Sequence, residues 1–160
     1  MPPLIEDMIS PVNTQHFVFF ANASPTIGAG HIMRSMALAQ ACLKRGIKVS
    51  FASYECPEYL SDLLRKEGIA VISLPSTFTH NQLQALNASV FVIDDYCLSQ
   101  EQWHYFKSTH SLLVNIDDNL NNDSLISDLI INPSSTATEK SYRKRAPQAN
   151  FCLGPKYSLL

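Results

Sequence analysis

Residues 16–53 read HFVFFANASPTIGAGHIMRSMALAQACLKRGIKVSFAS, and the order of patterns inside this stretch decides the fold class. It opens on an apolar run, His16 to Ala21, too short for a helix and bounded by the turn-forming Asn22-Ala23-Ser24-Pro25. That predicts a buried strand. Met33, Met36, Ala37, Ala39, Gln40 and Leu43 then fall at helical spacing, and Lys44-Arg45-Gly46 supplies the basic last turn and glycine that terminate helices. Ile47 to Ala52 is apolar again and predicts a second strand. A strand, a crossover helix and a strand make a βαβ unit, whose two strands run parallel.

Outward from that unit the pattern repeats. Pro57 suits the first turn of a second helix, which Lys66-Glu67-Gly68 closes as the first one closed. Ile69 to Leu74 predicts a third strand, Thr79 to Leu86 a short helix, and the strongly apolar Val90 to Ile93 a fourth strand. Ser99-Gln100-Glu101-Gln102 has the capping-box pattern that opens a helix, with Trp103 and Phe106 placed to pack on the sheet. Ser111 to Ile116, Asp128 to Asn132 and Phe151 to Leu153 complete seven strands. The series predicts an α/β fold, a doubly wound, mostly parallel Rossmann-like sheet. In its 3-2-1-4-5 order the first and fourth strands are neighbours, and a crevice opens at their carboxyl ends.

Composition agrees with one globular domain over residues 16–160 behind a mobile tail, 1–15, which is neither basic nor apolar enough for a signal peptide. The chain is 46% hydrophobic and 16% charged over 160 residues. A net charge of −2 offers no general basic field for nucleic acid or an anionic membrane. The local cluster Lys140, Arg143, Lys144, Arg145 reads as a solvated loop. No apolar run approaches the roughly 20 residues of a membrane span. Cys42, Cys56, Cys97 and Cys152 contain no CxxC pair, so free thiols and a cytoplasmic setting are expected rather than zinc or disulfides.

The loop from Asn22 to His31 joins the first strand to the first helix, and Gly28 and Gly30 permit close approach of a ligand to its backbone. The helix it opens presents unpaired N–H groups and a positive dipole end, suited to a diphosphate. A dinucleotide fingerprint would want glycine where Met33 stands, although Glu55 could still hold a ribose; a Walker loop is excluded by the missing Gly-Lys-Ser/Thr. His31 lies in the first helical turn, where the dipole should favour a neutral ring able to act as a base. Arg34, one turn on, can meet phosphate or pair with Asp94 or Asp95. The acidic pairs Asp94-Asp95 and Asp117-Asp118 resemble a magnesium set, but the first strand ends in Ala21-Asn22, so turn and cap roles are expected and no metal. His16, His80, His104 and His110 form no ligand spacing and read as surface or core residues.

Ile27-Gly28-Ala29-Gly30-His31-Ile32-Met33-Arg34, Val92-Ile93-Asp94-Asp95-Tyr96, Asn115-Ile116-Asp117-Asp118, Asp128 to Pro133 and Leu153 to Leu160 together resemble the UDP-sugar hydrolases of pseudaminic acid biosynthesis and the related spore-coat polysaccharide proteins. The resemblance implies the N-terminal half of a GT-B-like fold that releases UDP from UDP-2,4-diacetamido-2,4,6-trideoxy-β-L-altropyranose by attack of water at the anomeric carbon, with no cofactor. His31 matches the catalytic histidine. The implied substrate-binding set is Asn22, Gly28, Gly30, Arg34, Asp94, Asp95, Tyr96, Asn132 and Tyr157. Asn132, Tyr142 and Tyr157 serve there in pocket walls or domain contacts. A second Rossmann-like domain, absent from these 160 residues and supplied in cis or in trans, would hold most of the uridine and diphosphate. Asn22 stands where the family usually has Asp, and Asp95 where it has His. The acceptor-side half of a glycosyltransferase and a noncatalytic sugar-binding scaffold are the alternatives.

Overall fold

The computed structural model describes residues 15–118 and 126–160. The expected tail lies, apart from Gln15, outside the described residues. Seven strands form one parallel sheet: β1 (His16–Ala21), β2 (Lys48–Ser53), β3 (Ala70–Ser73), β4 (Val90–Asp94), β5 (Leu112–Ile116), β6 (Leu129–Asn132) and β7 (Asn150–Leu153). Their order is β3-β2-β1-β4-β5-β6-β7, so this is the doubly wound Rossmann-like sheet expected. Phe17 pairs with Val49 on one side and Val90 on the other, in parallel register.

Residue alternation along β1 explains why the sheet is covered twice. Phe19 and Ala21 point to a core with Ile32, Met36 and Ala39 of α1 (Gly30–Lys44) and with Leu60 and Leu64 of α2 (Glu58–Lys66). Val18 and Phe20 point the other way, to Leu83 of α3 (His80–Gln84) and to Trp103 and Phe106 of α4 (Gln100–Ser108). There Phe20 meets Phe78 and Phe106 edge-on, both with ring centroids 5.4 Å apart. Such pairs add about 0.5–1.5 kcal/mol each beyond their burial.

The helix signals read from the sequence have local geometric causes. Gly46 takes φ 77°, which lets its N–H and that of Ile47 turn back onto Leu43 and Cys42 carbonyls and close α1. Ser99 Oγ accepts from Gln102 N, and the Gln102 side chain accepts from Ser99 N, completing the capping box. Some boundaries differ. Pro57 is the N-cap of α2 rather than part of its first turn, since its ψ of 145° is still extended. The helix α1 starts at Gly30, ahead of Met33, and Ile32 in its opening turn already packs into the core. The basic cluster is not a loop at its start: Lys140 and Arg143 lie on α5 (Glu139–Arg143), capped by Thr138, whose side chain accepts from Ser141 N. The one buried side chain of α5, Tyr142, leaves no apolar spacing to mark it in the sequence. A single 3-10 turn spans Pro155–Tyr157.

Candidate functional site

At the carboxyl ends of β1 and β4 the sheet reverses its winding direction, and the chemistry collects there. The β1–α1 loop is a tight turn: Ile27 N donates to Ser24 Oγ at 3.0 Å and Gly28 N to Ser24 O at 2.7 Å. Gly28 adopts φ 80°, which a side chain would strain. Gly30 begins α1, and a Cβ there would meet nothing within 4 Å. The first turn of α1 has neither a side-chain cap nor an acidic residue. Its N-terminus therefore remains suited to an anion.

His31 and Asp94 meet across 63 residues of sequence. The Asp94 side chain is 0% exposed at the end of β4, and its Oδ1 lies 2.6 Å from His31 Nδ1. An ionised carboxylate only accepts, so Nδ1 carries the proton and Nε2 is the ring's reactive nitrogen. Arg34 grips the same carboxylate with two arms: Nε donates to Oδ2, and Nη2 to Oδ1 at 2.6 Å. Its third arm, Nη1, donates to Asp118 Oδ2 at 2.6 Å, and Tyr96 OH donates to Asp118 Oδ1. Tyr96 stands edge-on to the His31 ring, centroids 4.6 Å apart.

The charges in this network support one another. Burial opposes the charge on Arg34, but the hydrogen bonds and charge of Asp94, then Asp118, outweigh it and hold the guanidinium protonated. Partial burial pushes Asp118 up, yet the hydrogen bonds from Tyr96 and Arg34 bring its carboxyl below the usual range. Burial, followed by the hydrogen bond to Asp118, pushes Tyr96 up to about 12. The phenol thus stays a donor at neutral pH.

Beside this network lies a cleft of about 210 Å³ lined by Asn22, Thr26, Ile27, His31, Asp95, Tyr96 and Cys97. Asn22 is buried, with both ends of its amide engaged. Its Oδ1 accepts from Ser53 Oγ, Tyr54 N and Glu55 N at 2.8, 2.9 and 3.0 Å, and its Nδ2 donates to Asp95 Oδ2 at 2.7 Å. Asn22 and Asp95 are therefore in direct contact. Asp95 Oδ1 also accepts from Cys97 N at 2.6 Å, the turn role expected for these acids. Asp94 does not have that role; it anchors Arg34, one of the two pairings the sequence offered, and His31 as well, a pairing the sequence did not suggest.

The remaining expected residues sit apart from the cleft lining. Asn132 is buried at the end of β6; its Nδ2 donates to Tyr142 OH, which donates to Asp117 Oδ2, each at 2.7 Å. This chain ties β5, β6 and α5 together. Burial and Asp117 raise the Tyr142 phenol far above its ordinary value. Tyr157 packs at the edge of the α1-side core, with Lys156 Nζ 5.0 Å from its ring centroid. Asp118, Thr26, Ile27 and Cys97 join the site without having been expected in it. Asp118 had a usable signal, because its acidic pair follows β5 as Asp94-Asp95 follows β4. Among the described residues no group of three or more His, Cys, Asp or Glu could hold a metal ion. No helix among them is long and apolar enough to cross a membrane. The four cysteines are free thiols. Comparison with models of known protein families and with curated proteins finds no match.

Proposed function

We propose that the chain is the base-bearing half of a nucleotide-sugar hydrolase of GT-B-like architecture, cleaving a UDP-2,4-diacetamido-2,4,6-trideoxyhexose at the anomeric carbon and releasing UDP. The observation that carries this reading is the His31–Asp94 pair at the open N-terminus of α1, with Tyr96 and the Gly28 loop around the same cleft. His31 Nε2 takes a proton from water as it attacks, Asp94 holds the ring's orientation, and the first-turn amides of α1 face the diphosphate. The sequence resemblance names the substrate. A second Rossmann-like domain, in cis or in trans, supplies the opposite wall and most contacts to uridine.

The mapping experiment is an NMR titration of the chain with UDP and with a UDP-N-acetylated sugar. Amide displacements are expected at Gly28, Gly30, His31 and Tyr96. Displacements confined to other faces of the sheet would sink the reading. A product assay with and without an acceptor alcohol, in an assembly containing the second domain, separates hydrolysis from glycosyl transfer.

A further inference from the structure

Arg34 is the most heavily bonded residue of the network beside the cleft, and its bonds go to protein groups. Three of its nitrogens are committed to two carboxylates and it is largely buried, its side chain 16% exposed. That arrangement is a poor phosphate clamp, because a ligand would first have to displace an internal acceptor. Its geometry suits another task. Nη2 lies 3.5 Å from His31 Nδ1 as well as 2.6 Å from Asp94 Oδ1, so the guanidinium, the carboxylate and the imidazole form one electrostatic unit.

We propose that Arg34 is a positioning residue that sets the charge state of His31, by neutralising buried Asp94 and by placing a fixed positive charge beside the ring. The proposal deepens the reading of His31 as the base and rests on it. With Arg34 present, Asp94 is an ionised acceptor that already has a cationic partner, so the ring can orient against it while neutral. Without Arg34, His31 is the remaining partner of a carboxylate removed from water, and a proton on the ring becomes the compensating charge. A base that already holds its proton cannot accept one from water.

The charged and titratable groups facing the ring come from each neighbouring element: Asp94 at the end of β4, Tyr96 after it, Arg34 on α1 and Asp118 after β5. Asp95 and Cys97 line the same cleft. Asp118 and Arg34 act on His31 with opposite sign. Removal of Asp118 takes away a negative charge that favours the imidazolium and leaves Arg34 less shared.

The test is the titration of the His31 ring by long-range proton–nitrogen NMR in the full chain, assigned by loss of its signals in His31→Gln. The wild-type neutral ring should carry its proton on Nδ1. In Arg34→Met the His31 midpoint should rise by about one pH unit or more, the usual effect of losing a neighbouring opposing charge. In Asp118→Asn it should fall, and in Arg34→Lys, which keeps the charge, it should stay closer to wild type than in Arg34→Met. An unmoved or lowered midpoint in folded Arg34→Met overturns the proposal. If that variant does not fold, Asp118→Asn decides, and a midpoint that fails to fall overturns it. These measurements contain no substrate, so a failed nucleotide-sugar reading appears separately, as absent displacement by UDP.

Discussion

At the scale of single residues, the site divides into groups that face the cleft and groups that hold them. His31 is the clearest case of the first kind. On the proposed hydrolase reading, its replacement by alanine lowers turnover roughly 10²–10⁴-fold in an assembly with the proposed second domain, the range for a positioned general base. Thermal unfolding should move little, since the ring is at the crevice and not in either core. Near-normal turnover would remove it from the mechanism. Asn22 and Asp95 exemplify the second kind, and they should behave as a pair. Asn22→Asp sets a second carboxylate against Asp95, where an amide now donates at 2.7 Å, and should cost roughly 2–4 kcal/mol of stability. Asp95→His in that background should recover part of the loss, and urea unfolding of both singles and the double measures the coupling. His31, Arg34 and the glycines were legible from sequence because their helix and loop are contiguous. Asp94 was legible through the expected strand order, as a residue of the crevice and a partner offered for Arg34; Asp118, which reaches the site from the end of β5, was read only in a turn or cap role.

Whole elements were legible wherever apolar runs and capping residues agreed, as in β1, β4 and the Ser99 start of α4. Ser99→Ala should destabilise the chain by about 1 kcal/mol, the usual cost of a lost N-cap, with little effect on the cleft. One short helix escaped the reading: α5 spends its few residues on one cap, an ion pair between Glu139 and Arg143, and the buried Tyr142. Strand β1 carries a pH-sensitive residue at its start. His16 is buried with Nε2 2.7 Å from Ser50 Oγ, and burial, aided by nearby Lys48, pushes its pKa below the ordinary value of 6.5. The unfolded chain therefore takes up this proton first on acidification. Its contribution to stability is present above 6.5 and declines as pH falls towards the folded-state value. Urea midpoints should drop between about pH 8 and pH 5, and more steeply in wild type than in His16→Gln. Equal slopes would show that the ring is not responsible.

For the whole molecule, the sheet places the candidate cleft on one side of an open crevice. About 210 Å³ is less than the roughly 300–1,000 Å³ of sites that enclose a drug-sized ligand. Isothermal titration of this chain with UDP should accordingly give binding weaker than about 1 μM, and tighter binding would point to a self-contained nucleotide site. The doubly wound order itself followed from alternating strands and helices, because parallel strands with helical crossovers have few ways to cover both faces.

The central place of β1 also has a consequence for how the chain is made. Its edge towards β2 can close once Ser53 has left the ribosome, but its edge towards β4 waits for Asp94. At typical synthesis rates the intervening 41 residues take roughly 2–8 s, counted from Ser53 to Asp94. During that interval Phe17 to Phe20 present an unpaired apolar strand edge in a nascent chain. Slower translation across residues 54–94 should lengthen that exposure and raise the insoluble fraction, and chaperones that cover extended apolar segments should lower it.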